Sequence, residues 1–536
     1  MNSSAPDAQT APEAGDRTTP GIDRAAVQDV AAMLPTWLET VRHLRRQSGI
    51  QVAIWHDGEL ACEVAVGEAD AEQGVALQPS HRLRIASHSK MFTALAVMRL
   101  VDQGRLRLDD TLGERVVELA GSPVADRTLR DLLSHSAGLS RDSTDARWWR
   151  LGAPFPDRDR LLEIARTTAA VGDPGVHLQY SNIGYGLLGL VIEEATGSDF
   201  ATAVTELVLE PVGVDGIGPD LHEDAAGPEA ADGFAPGHSS LLHGPRRIIE
   251  QIPTGALAAA TGFWASAGAI ASFAGRALTT GGLLAPGSLR EMRRRVWTLR
   301  DGGHYGLGLQ EGRLHGFTVI GHSGGFPTGL SRTWAAPAER LVVSVIGTAV
   351  DAPSSEIAQG VLGLLALASG RPAPDAEQWE GPGALGGASD GRLRPAPLAE
   401  QPEVEVLGRT LSAPDLAQLV SGTYDALWGR SHLAVLGGRL FDVDGAATDP
   451  AAGAVELAVK QVSSDPIDPS LQAVELMAWG DSGYGTWAEP ILARLEPASP
   501  DQSGDGDLAC TGLIETGQFL TPSAAFTMPE RVRAPR

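Results

Sequence analysis

The chain has 536 residues, too many for one ordinary domain, and its 43% apolar and 20% charged residues can bury a large core. Its 67 acidic against 42 basic residues give a formal charge of −25, which repels phosphate backbones and argues against a nucleic-acid partner. Two cysteines, Cys62 and Cys510, cannot build a disulfide framework or a cysteine-rich zinc site, and no apolar run is long enough to span a membrane.

Residues 1–21 are rich in Ser, Ala, Pro, Thr and Asp without apolar periodicity, which predicts a disordered tail. The tail has neither a basic start nor an apolar h-region, so it does not read as a secretory signal and the expected location is cytoplasmic. From Ile22 to Gln47 the spacing predicts a helix with Ala26, Val30, Met33, Leu34, Trp37, Val41 and Leu44 near one stripe. Ile50 to Trp55 and Leu60 to Val66 flank His56-Asp57-Gly58-Glu59, a hairpin signal. Ser87 to Gln103 is apolar on most faces, which predicts a central, buried helix. A helical, loop-rich middle follows. Strands return at Thr318 to Gly321, Ser331 to Ala335 and Leu341 to Ile346, and Ser355 to Ala368 closes the region as a helix.

This order predicts an α+β fold over 22–370: an antiparallel sheet with packed helices and a helical insert. Residues 371–401, rich in Pro, Gly, Ala and Asp, read as a linker. Residues 402–536 hold short β-like segments at Leu419 to Tyr424, Leu433 to Val443, Val455 to Val462, Leu471 to Trp479 and Thr486 to Leu495, which predicts a small all-β C-terminal domain, barrel or sandwich.

Only two of the 42 basic residues are lysines, Lys90 and Lys460. A surface cation can be either residue type, but a position that needs a neutral amine cannot be arginine. Lys90 closes Ser87-His88-Ser89-Lys90 at the start of the buried helix, where a serine three residues back lies on the same face. A desolvated lysine there can accept the serine proton, and the helix N-terminus points its dipole at the nucleophile. A second string is Tyr180-Ser181-Asn182, where Ser181 or Asn182 can also cap the apolar helix Ile183 to Ala195. A third is His322-Ser323-Gly324-Gly325, directly after a strand, where a glycine pair lets a substrate backbone approach. By itself each string has an ordinary reading: chance spacing, a capped helix, a glycine-rich strand end.

In this order, about 90 and then 140 residues apart, the three strings resemble the β-lactamase and penicillin-binding-protein superfamily of serine hydrolases, on the class C branch because the middle string is Tyr-x-Asn. Leu132-Leu133-Ser134-His135-Ser136-Ala137-Gly138-Leu139 and Tyr305-Gly306-Leu307-Gly308-Leu309 look like the same family. The resemblance implies Ser87 as nucleophile, Lys90 as its activating amine and Tyr180 as the base and acid that protonates the leaving group. It implies that Asn182 orients the lysine or a substrate amide. His322, Ser323, Gly324 and Gly325 become substrate-binding, with an oxyanion hole from the N–H groups of Ser87 and Gly325. It implies an acyl-enzyme and no metal or organic cofactor.

One position departs from the family. Lys-Thr-Gly or Lys-Ser-Gly is usual in the third string, and its lysine attracts a substrate carboxylate; here His322 stands instead, mostly neutral near pH 7. His-x-Gly is the form seen in D-aminopeptidases and in several esterases of the family, and bacterial D-aminopeptidases also carry β-rich C-terminal domains on a similar catalytic domain. The expected activity is therefore amide or peptide hydrolysis of D-aminopeptidase type on a small peptide, amide or ester. Carboxylesterase, DD-peptidase and weak β-lactamase are the alternatives within enzymes, and a non-catalytic peptide-binding scaffold the one outside them. The oligomeric state is open. All three strings precede residue 330, so the C-terminal region is expected to tune specificity rather than supply catalytic groups. His88, His135 and His304 are read as structural hydrogen-bonders, and Cys62 as a buried core residue.

Overall fold

The computed structural model describes residues 21–221, 233–299, 302–371, 395–443, 454–479, 489–498 and 508–528. The predicted tail lies almost wholly outside the described residues, as does most of the predicted linker, of which 371 and 395–401 are described.

Helix α1, Arg24–Leu44, begins where the Asp23 carboxylate accepts a hydrogen bond from Ala26 N at 2.8 Å, satisfying an otherwise unpaired helix-end donor. Its buried stripe is Ala26, Val27, Val30, Leu34 and Leu38, so Met33 and Leu44, expected near the stripe, point to solvent. Strands β1, Gly49–His56, and β2, Glu59–Asp70, form the expected hairpin. Asp57 and Gly58 turn it with φ of +47° and +102°, the left-handed pair that a two-residue connection with the right twist requires.

These strands join a nine-stranded sheet in the order β3-β2-β1-β9-β8-β7-β6-β5-β4, with antiparallel neighbours throughout. Here β3 is Val75–Ala76, β4 Trp297–Thr298, β5 His304–Tyr305, β6 Gln310–Leu314, β7 Phe317–Phe326, β8 Gly329–Ala336 and β9 Leu341–Gly347. Between β3 and β4 the chain makes the predicted helical insert, including α2, Ser89–Asp102, α3, Asn182–Thr196, and α4, Ala267–Ala274. Helix α5, Ser354–Ala368, returns to pack with α1 on one sheet face, over Ile50, Val52 and Ile54. The alternate residues Ala53 and Trp55 face the other way, into the larger core of the insert. With both faces covered, β1 is buried along almost its whole length.

The predicted strand Thr318 to Gly321 is longer than its apolar run. β7 continues through His322 to Phe326, so the third string lies inside the strand rather than after it. Beyond Gly321 its pairing with β6 has stopped while pairing with β8 continues, so residues 322–326 are strand-paired on the β8 side only.

The C-terminal region is a closed barrel of eight strands, each paired with the next in sequence. They are β10 Gly422–Asp425, β11 Arg430–Leu436, β12 Arg439–Val443, β13 Val455–Ser464, β14 Gln472–Trp479, β15 Ile491–Pro497, β16 Leu508–Glu515 and β17 Gln518–Pro522, with β10 meeting β17 to close the ring. Leu419 and Val420, expected in a strand, end a helix instead: α6, Ala413–Val420, is capped by the Ser412 hydroxyl and packs its apolar face on the barrel core. The single expected segment Leu433 to Val443 is a hairpin turned at Gly437 and Gly438. Of the expected segment Thr486 to Leu495, residues 486–488 lie outside the described residues.

Candidate active site

Ser87 sits in a single 3₁₀ turn, Ala86–His88, that runs directly into α2. Ala86 has φ +48°, a sparsely populated conformation for a residue with a Cβ, and strain of this kind is held only where surrounding packing enforces it. Lys90, one turn on, is completely buried. Its Nζ donates to Ser87 Oγ at 3.2 Å, Asn182 Oδ1 at 2.7 Å and the Ala260 carbonyl at 2.9 Å. Protonated, the amine fills all three donor directions; neutral, it has two N–H groups and a lone pair that can accept from the Ser87 hydroxyl, the candidate nucleophile. Ser89 is placed differently. Its hydroxyl donates to Ala86 O at 2.6 Å and accepts from Phe263 N at 2.9 Å, fully buried, so it serves the backbone and has no access to substrate.

Tyr-Ser-Asn opens helix α3 and lies beside Lys90. Ser181 caps α3, its Oγ accepting from Gly184 N at 2.8 Å, while the residues on either side enter the site. The Tyr180 ring centroid lies 4.7 Å from Lys90 Nζ. Asn182 accepts from Lys90 and donates from Nδ2 to Asp142 Oδ1 at 2.8 Å.

Burial pushes the Lys90 amine well below its ordinary range, and the nearby Arg141 cation acts in the same direction against the attraction of Asp142. Burial likewise lifts the Asp142 carboxyl. Both shifts favour a neutral amine beside Ser87. His322 is buried, with Nδ1 at 2.6 Å from the Ser323 carbonyl and Nε2 at 3.2 Å from the Tyr305 hydroxyl. Burial, with Lys90 close by, holds it well below the usual histidine range, so it supplies no fixed charge near neutrality.

Ser87, Tyr180, Asn182, His322, Ser323 and Gly325 line a cavity of about 600 Å³. Gly324 does not line it: a side chain at that position would run into the Ile85 carbonyl, so this glycine lets β7 lie against the turn that carries Ser87. The opposite wall comes from the barrel and includes Trp428, Arg430, Asp442 and Glu515. Trp428 also donates from Nε1 to the Trp149 carbonyl at 3.0 Å.

Several of these groups carried no local sequence signal. Asp142 stands in a loop outside every quoted string, and the barrel residues follow more than 240 positions after Tyr180. His135 does lie in a quoted string. Its ring is 4.2 Å from that of Tyr180 and its Nδ1 accepts from Ser181 N at 3.1 Å, while the Leu133 carbonyl accepts from Gly308 N and Tyr185 Oη. The two supporting strings therefore meet beside the site. His88 is the expected structural hydrogen-bonder, held at Ile85 O and Thr333 Oγ1, whereas Cys62 is half-buried at the margin of the core.

The Beta-lactamase family profile matches residues 37–368, more than half of the chain, and the chain belongs to that family of serine hydrolases. Penicillin-binding protein 4 of Amycolatopsis lactamdurans is 32% identical over 217 residues, which cover 38% of this chain and 52% of that protein. The chain spans between a third and about half of the length of the curated relatives it matches. Among solved structures, the octameric penicillin-binding protein homologue from Pyrococcus abyssi aligns over 91% of this chain and 99% of its own, with a TM-score of 0.55 and 20% identity. D-amino acid amidase from Ochrobactrum anthropi SV3 aligns over 63% of this chain and 98% of its own, with a TM-score of 0.53 and 22% identity. At these identities the two structures establish the fold. Among the described residues no helix is long and apolar enough to cross a membrane.

Proposed function

We propose that the protein is an amide or peptide hydrolase of D-aminopeptidase type, with a hydrolase unit over 22–370 and a barrel unit over 402–536 that walls its substrate cavity. The observation that carries the reading is the fully buried Lys90 Nζ at 3.2 Å from Ser87 Oγ, which lines the cavity, with burial favouring the neutral amine. In this mechanism Ser87 Oγ passes its proton to Lys90 and attacks the substrate carbonyl, while the N–H groups of Ser87 and Gly325 hold the developing oxyanion. Tyr180 gives its proton to the leaving amine and regains one from Lys90, which restores both groups; water then hydrolyses the acyl-enzyme, with Tyr180 and Lys90 taking its proton and returning one to Ser87 Oγ.

The preference for a free amine rests on His322. A neutral imidazole offers no counter-charge to a substrate carboxylate, and the acidic excess of the chain adds none. The D-configuration is supported by family likeness, including the fold shared with a D-amino acid amidase. The test is a comparison of kcat/KM for D- and L-alanine p-nitroanilides, their N-acetyl forms, p-nitrophenyl esters and nitrocefin. The free D-amine anilide is expected to be the best amide. Turnover confined to esters would replace the reading with a carboxylesterase, and preference for N-acylated substrates bearing a free carboxylate with a DD-peptidase.

A further inference from the structure

Glu489 precedes β15 of the barrel, yet its side chain reaches the segments that carry the hydrolytic residues. One carboxylate oxygen, Oε1, accepts from Arg141 N at 2.7 Å and from Gln179 Nε2 at 2.8 Å. Arg141 is adjacent to Asp142, and Gln179 to Tyr180. The same two segments are tied to each other: Asn182 N donates to Arg141 O at 2.8 Å, and Gln179 N to His135 O at 2.8 Å. Nearby, the barrel turn at Gly517 accepts from Ala146 N at 2.8 Å, where a side chain in place of the glycine hydrogen would collide with the Ser143 carbonyl.

We infer that Glu489 is a positioning residue for the hydrolytic site: by holding Arg141 and Gln179 on one oxygen, it sets the register in which Tyr180 and Asn182 meet Lys90. The inference rests on the serine-hydrolase reading of Ser87, Lys90 and Tyr180 given above. It revises the expectation that the C-terminal region only tunes specificity. Two donors converging on a single half-buried acceptor fix both segments, and loss of that acceptor takes away the partner both donors share. A displacement near 1 Å at reacting groups costs about a hundredfold in rate, so the effect belongs in kcat even for a substrate too small to touch the barrel.

Because both bonds fall on Oε1, the amide oxygen of glutamine can accept both. Burial, reinforced by Asp142 and opposed by Arg141, lifts the Glu489 carboxyl to about 7, so a neutral side chain is compatible with the site.

The test uses the full chain with p-nitrophenyl acetate as substrate, together with the rate of Ser87 labelling by a fluorophosphonate. Glu489→Gln is expected within about threefold of wild type, whereas Glu489→Ala should lose roughly thirtyfold in kcat and in labelling rate with little change in KM. Thermal melts identify which variants are folded. Should Glu489→Ala unfold, Glu489→Asp, which keeps the charge but is one methylene too short for both donors, carries the same expectation. A folded Ala or Asp variant labelled at the wild-type rate overturns the inference, as does a Gln variant no better than Ala. Wild-type protein that turns over the ester without labelling at Ser87 instead removes the underlying hydrolase assignment, and this inference with it.

Discussion

Asn182 accepts a hydrogen bond from Lys90 Nζ at 2.7 Å and passes one on to Asp142 Oδ1 at 2.8 Å, so the buried amine and the buried carboxyl communicate through an amide rather than touch. With the amide oxygen accepting from Lys90, the amide nitrogen is the end left to donate to Asp142. A direct ion pair would have kept Lys90 protonated. The interposed amide holds the amine in place while burial keeps it available as a proton acceptor.

Asp142→Ala should therefore lower kcat by up to about a hundredfold with a small effect on KM, because Asn182 loses the partner that fixes its orientation. Asp142 also raises the Lys90 pKa, so its removal moves the acid limb of the pH–rate profile to lower pH. Steady-state kinetics across pH check both parts; an unchanged kcat would remove Asp142 from the relay.

Lys90→Arg should be nearly as damaging as Lys90→Ala, since guanidinium does not release a proton in proteins. The expected loss is about 10²–10⁴-fold or more in kcat/KM. In the wild type, activity should rise with pH as Lys90 loses its proton and level off well below the ordinary lysine value of about 10.4. Arg within tenfold of wild type, or an acid limb at the ordinary lysine value, would show that Lys90 acts only through its charge.

His322→Lys restores a cation at the position where the family usually carries one. Relative kcat/KM should shift by about tenfold or more toward substrates with a free carboxylate, equivalent to about 1.4 kcal/mol. Competition between D-alanine p-nitroanilide and an N-acyl dipeptide reads this directly. A selectivity unchanged by the substitution would detach amine preference from His322.

His88 is fully buried between Ile85 and the sheet, and burial pushes its pKa down to about 3. An unfolded chain takes up that proton below about 6.5, whereas the folded chain resists until about 3. The stabilisation from neutral His88 is complete above 6.5 and is lost progressively as pH falls toward 3. Between pH 6.5 and 4.5 the His88 share of the loss should be on the order of 2 kcal/mol, and His88→Gln should remove that share while the other buried histidines keep theirs. Urea unfolding at the two pH values measures the difference.

The elements that local sequence dictates were legible: the Asp57-Gly58 turn, the buried helix after Ser87, the strands around Ser331 and Leu341, and the three strings of the site. What was not legible depends on distant partners. β7 runs past Gly321 because β8 still pairs with it, although Ser323 and the glycines that follow have low strand propensity. The last barrel strands, β16 and β17, are masked by small residues such as Gly512, over which the Phe519 ring closes. Ser412 with Asp415 three residues on is a capping signal for α6 that the apolar end, Leu419-Val420, obscured. Asp142 and Glu489 have no local pattern at all; each matters through a residue far away in sequence, and folding alone brings the pairs together.

The most direct test of the account is the site of covalent modification. After incubation with a fluorophosphonate, peptide mapping by mass spectrometry should find the adduct on Ser87, and Ser87→Ala should abolish both labelling and hydrolysis while Ser89→Ala leaves labelling intact. An adduct on Ser89, or full activity in the Ser87→Ala variant, would contradict it.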